Sequence, residues 1–84
     1  MRISHAEAGE ATAKRIAAEV RAEMARQGIS QQALALRLGW LQPRVSRRLT
    51  DGETFVPFDT QELAAVAHAL GVDVSHFMPA ARAA

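Results

Sequence analysis

Three stretches of helical hydrophobic spacing in this chain each stop at a glycine, at Gly28, Gly39 and Gly71, and that punctuation restricts it to helices joined by tight breaks. Before Gly28, the residues Ala13, Ile16, Ala17, Val20 and Met24 line one face of a first helix. Ser30 then stands where it can cap a second helix, with Ile29 and Leu34 forming a hydrophobic staple across the cap. That helix runs through Ala35 and Leu38 and has room for little more than two turns before Gly39. After Gly39-Trp40-Leu41 a third helix is expected to begin at Gln42-Pro43, with Pro43 in the first turn, where a missing N–H has no partner to lose; an alternative start has Gln42 as cap and Pro43 as the first residue. It ends near Thr50-Asp51-Gly52, and Glu53 to Phe58 reads as a loop. Asp59 and Glu62 make a capping box flanked by a Phe58/Leu63 staple, and Leu63, Val66, Ala67 and Leu70 are the buried stripe of a fourth helix. Val74 to Met78 reads as a fifth, very short helical turn stopped by Pro79.

No Val/Ile/Thr alternation of the kind that builds strands is present, and Tyr is absent, so the expected fold class is all-α. The 84 residues allow one domain, placed at residues 12–79. Residues 1–11 read as a partly ordered extension, in which Ser4 and Glu7 could cap a backward continuation of the first helix that Gly9 weakens by about 1 kcal/mol. Residues 80–84 read as a frayed tail. With no Cys in the chain, disulfides, thiolate metal sites and thiol nucleophiles are excluded, and a reducing cytoplasm fits. No stretch approaches the roughly 18 apolar residues of a membrane span, and the N-terminus lacks the apolar core of a signal peptide, so a bacterial cytoplasm or nucleoid is the expected location. His5, His68 and His76 are dispersed, and no HExxH, phosphate-binding glycine loop or nucleophile elbow occurs. No catalysis, cofactor, metal or small-molecule ligand is therefore expected.

The net charge of +1 hides a segregation along the chain. From Arg26 to Arg48 there are five arginines and no acid, and from Asp51 to Asp73 there are five acids and no Lys or Arg. Such a chain can turn a basic face to a polyanion and keep its acids elsewhere, so Asp51, Glu53, Asp59, Glu62 and Asp73 are expected to face away from that partner. At about 100° per residue, Val45 and Leu49 share the buried side of the third helix, and Pro43 and Arg47 point away from it. Arg44 and Arg48 flank this outer face on one edge, Ser46 and Thr50 on the other. Two short helices around a tight glycine break are the sequence form of a helix-turn-helix, whose second helix enters the DNA major groove. Arg can take guanine and Gln adenine through paired donors and acceptors, which makes Arg47 and Gln42 the candidate base readers and Arg44 mainly a phosphate contact.

The residues Ile29-Ser30-Gln31, Leu34-Ala35, Leu38-Gly39, Gln42, Val45-Ser46-Arg47, Leu63, Ala67 and Leu70-Gly71-Val72 fall at the order and spacing of the lambda-repressor-like, or xenobiotic-response-element, helix-turn-helix family, which the chain resembles from about Ile16 to Met78. The resemblance implies a compact five-helix DNA-binding domain with helices two and three as the helix-turn-helix. It implies that Gln31 bonds a phosphate and buttresses Gln42, that Gln42, Pro43 and Arg47 take the base-reading positions, and that Thr50 sits beside a phosphate. The chain departs from the family at Leu41, where a capping Ser is common, at Leu36, which is usually polar, and at Thr50-Asp51-Gly52, an exit one residue longer than usual.

Other readings of these residues stand beside this one. The arginines could be a solvated helix face, and Gln31 and Gln42 simply good surface helix formers. Trp40 is expected to plug the core at the turn. Arg48 could cover the core with its stem while its head pairs with Glu53 or another acid, or could contact phosphate. The expected function is a sequence-specific regulator of transcription, a repressor, that binds paired half-sites on double-stranded DNA as a homodimer, with Val74, His76, Phe77 and Met78 as the expected dimer surface. The alternative is a protein–protein interaction module on the same scaffold, such as an antitoxin or anti-repressor, with Leu36, Trp40 and Leu41 as its apolar patch.

Overall fold

The computed structural model describes residues 4–79. Its order is α1 (His5–Gln27), α2 (Gln31–Leu38), α3 (Gln42–Leu49), α4 (Thr60–Leu70) and a terminal 3-10 turn (Val74–Phe77), with no strand among the described residues. The fold class is all-α, as expected, but with four α-helices where five were expected. The fifth element has only Val74–Phe77 between its cap, Asp73, and the extended Met78, which is one turn of i→i+3 bonds and too short to close the longer α-helical rings.

Helix α1 is longer than its apolar stripe. Ser4 Oγ accepts from Glu7 N–H (3.1 Å) while Glu7 Oε1 accepts from Ser4 N–H (3.3 Å), and the helix runs from there to Gln27 through Gly9 without a break. Residues 5–12 are all exposed, so these first two turns stand clear of the core. The tail assigned to residues 80–84, and residues 1–3 of the assigned extension, lie outside the described residues.

The core is one cluster. Val20 and Met24 of α1, Leu34 and Ala35 of α2, Val45 and Leu49 of α3, and Leu63, Val66, Ala67 and Leu70 of α4 close around Phe77, which has no exposed surface. Helix α2 packs on α3 and α4, α3 on α1, and the terminal turn on α1 and α4. Phe77 is therefore not available to a dimer surface, whereas Val74 and Met78 remain exposed.

Side chains of α1 finish the other helices. The last carbonyls of a helix have no partner within it. Here Arg21 Nη1 donates to Leu49 O at the end of α3, and Gln27 Nε2 donates to Leu70 O (2.7 Å) at the end of α4. Glu23, nearly buried, organises this side: it accepts from Gln27 Nε2 (2.8 Å) and Arg26 Nη2 (2.9 Å) and meets His76 Nε2 (2.8 Å) of the terminal turn. Gln27 and Arg26, joined by His76, hold its carboxyl down to about 2. None of the described helices is long and apolar enough to cross a membrane.

Candidate nucleic-acid interface

The break between α2 and α3 is built on Gly39. Its φ of 70° and ψ of 27° lie in the left-handed region, which costs a side chain Cβ contact energy that glycine avoids. The reversal lets Trp40 N–H reach back to Ala35 O (3.0 Å) and closes α2. Helix α3 starts at Gln42-Pro43, as expected. Leu41, not Gln42, is the extended N-cap, because Leu41 O already accepts from Arg44 N–H (3.0 Å), and no side chain caps this end. Gln42 and Pro43 are thus the first two helical residues.

Val45 and Leu49 are buried and Gln42, Pro43 and Arg47 are exposed, as the helical wheel requires. Ser46 is half-buried on the edge of this ridge, and Thr50, exposed, is the C-cap that ends α3. Gln31 is half-buried at the first position of α2, and among the described residues no hydrogen bond joins it to Gln42.

The flanking arginines have a different setting from the one expected of them. Arg44 lies over the Trp40 ring, its guanidinium carbon 3.9 Å from the centroid. Its Nη2 donates to Glu62 Oε2 at 2.9 Å. Arg48 Nε lies 3.0 Å from the same oxygen, an ion pair whose angle is not that of a hydrogen bond. Glu62, one of the acids expected to face away from a polyanion, lies against α3. It is 6% exposed and turned toward α3, and its other oxygen accepts from Asp59 N–H (3.0 Å) in the capping box that starts α4. Burial alone would push its carboxyl up, but Arg48, the Asp59 backbone and Arg44 together overcome this and hold it at about 2. Trp40, Arg44 and Glu62, with Asp59, Gln61 and Ala65, line an open groove of about 280 Å³.

The five arginines of the basic segment therefore divide. Arg26 is bound to Glu23, Arg37 donates to Ala69 O (3.0 Å), and Arg44 and Arg48 share Glu62. Among the described residues only Arg47 of the five has no partner for its side chain. Sequence reasoning placed Glu62 in the capping box and missed its second role, since the residues that meet it stand 18 and 14 positions away and no local pattern links them. The Arg48 alternative that pairs its head with an acid is the one present, with Glu62 in place of Glu53.

The exit of α3 is tied back to α1, where Lys14 Nζ meets Asp51 Oδ1 at 3.1 Å. The hydrogen bond and the charge of Asp51 raise the Lys14 pKa above its ordinary value. No group of three or more His, Asp or Glu side chains among the described residues is placed to hold a metal ion. Leu36 and Leu41, at 78% and 80% exposure, border the α2–α3 break on its outer side. Comparison of the chain with family models, curated proteins and solved structures finds no match.

Proposed function

We propose that this protein binds double-stranded DNA sequence-specifically and represses transcription, with α2 and α3 as a helix-turn-helix of the lambda-repressor-like kind and no catalytic step. The observation that carries this reading is the outward face of α3: Gln42, Pro43 and Arg47 exposed in a row, Ser46 and Thr50 beside them, and no acid in the helix. A helix with these side chains presents bidentate groups for adenine and guanine, and Pro43 offers apolar contact to a thymine methyl. Gln31, at the N-terminus of α2, takes a phosphate, and Thr50 takes another at the end of α3. Arg44 and Arg48 flank the ridge and are held by Glu62 in the free chain. One helix of this length reads too few base pairs for useful specificity, so the protein acts as a homodimer on half-sites roughly 34 Å apart. The cytoplasm or nucleoid is its place of action.

The test is binding to random duplex DNA at low salt, followed by selection of bound sequences from a random pool. A regulator binds the random duplex and enriches a paired motif. A second reading is favoured by Leu36 and Leu41, whose exposure would suit a protein partner at the same break. That module, an antitoxin or anti-repressor, need not bind random DNA and enriches no motif.

A further inference from the structure

A carboxylate that is buried, charged and paired with two arginines of the helix proposed to read DNA is placed to govern that reading. Arg44 Nη2 and Arg48 Nε converge on one oxygen, Glu62 Oε2, at 2.9 and 3.0 Å. Each arginine is also held by something besides the acid. The Arg44 guanidinium carbon stands 3.9 Å from the Trp40 ring centroid, and the Arg48 side chain is only 17% exposed. Glu62 cannot swing away, because its backbone N–H donates to Asp59 Oδ1 at 2.7 Å and its Oε1 is engaged by Asp59 N–H. The carboxylate is therefore a fixed acceptor for both guanidiniums and competes for them with any phosphate oxygen.

We propose that Glu62 is a specificity-determining residue that keeps Arg44 and Arg48 from the DNA backbone, leaving Arg47 as the only α3 arginine that meets DNA. This inference rests on the DNA-binding reading above and deepens it. The consequence is a difference between two kinds of binding. Random DNA is held almost wholly through phosphate contacts, each of which adds to the dependence on salt. Two arginines held by one carboxylate, which cancels one of their two charges, are withdrawn from that term and not from base reading, so Glu62 lowers affinity for random sequence more than for a true site, and the ratio between them rises.

The experiment is a salt series of binding to random duplex DNA for the wild type and for Arg44→Gln, Arg47→Gln and Glu62→Gln, with folding of each checked by circular dichroism. The inference expects Arg47→Gln to lower the log–log salt slope by roughly 1 and Arg44→Gln to leave it unchanged. It expects Glu62→Gln, which frees both guanidiniums, to steepen the slope by up to about 2 and to tighten random binding on the order of tenfold. Should Glu62→Gln fail to fold, the Arg44→Gln and Arg47→Gln pair still decides. An Arg44→Gln slope that falls as far as that of Arg47→Gln overturns the inference while leaving DNA binding intact. A wild type that binds neither random nor selected DNA overturns the functional reading, and the inference with it.

Discussion

Glu62 is 6% exposed yet charged, and the pair of guanidiniums beside it explains how that is possible. An ion buried alone would be protonated, whereas Glu62 is held at about 2 against an ordinary value of 4.5. Glu23, on α1, is held at about 2 by Gln27, Arg26 and His76. Both carboxylates are more acidic folded than unfolded, so the stability they contribute is present above pH 4.5 and is lost as the pH falls from 4.5 toward 2. Urea melts over that window should show a falling midpoint, and Glu62→Gln should flatten the fall. At pH 7 the same substitution should cost about 1–3 kcal/mol, since it leaves Arg48 partly buried without its counter-ion. An unchanged acid profile in Glu62→Gln would mean that the pair with Arg44 and Arg48 does not persist in solution.

At the scale of elements, the caps and stops were the legible part, because each is a local bond between residues a few positions apart. Ser30 Oγ accepts from Ala33 N–H (3.0 Å), Asp59 and Glu62 form the capping box, and Gly28, Gly39 and Gly71 all take left-handed angles. The stripes Val20/Met24, Val45/Leu49 and Leu63/Val66/Ala67/Leu70 are buried as their spacing requires. The start of α3 at Gln42-Pro43 was legible from Pro43, whereas its cap was not, because Leu41, a poor cap by composition, is extended there and accepts through its backbone. The terminal turn was overextended into a helix because a lone turn has no periodicity to measure. Replacing Gly39 by Ala should cost about 1–2 kcal/mol, and all of it should be backbone strain, since a Cβ there would meet nothing within 4 Å. Ser30→Ala should cost about 1 kcal/mol through the lost cap. Chemical melts of the two variants check both values, and a Gly39→Ala as stable as the wild type would contradict the strained turn.

For the whole molecule, the segregation of charge along the chain was legible and its resolution in three dimensions was not. The basic and acidic segments are folded onto each other at Glu62, and Lys14 of the first helix takes Asp51. Contacts of this kind depend on how α4 is set against α3, and helical periodicity carries no information about that. The exposed ridge of α3 was legible because it depends only on which side of one helix is buried. Burial of Phe77 reduces the expected dimer surface to Val74, His76 and Met78, all exposed at the terminal turn. Sedimentation with DNA selected from a random pool should give two protomers per saturated site, and one protomer would contradict the dimer. The central claim is that the outward face of α3 reads base sequence, and Arg47 is the side chain on which it turns. The most direct measurement is binding of Arg47→Ala to the selected site and to a set of single-base variants of it, with thermal melts to exclude unfolding. Arg47→Ala should lose about 1–3 kcal/mol on the selected site and relax discrimination at one base pair, a guanine. An equal loss on every sequence would contradict it and leave Arg47 a contributor of charge alone.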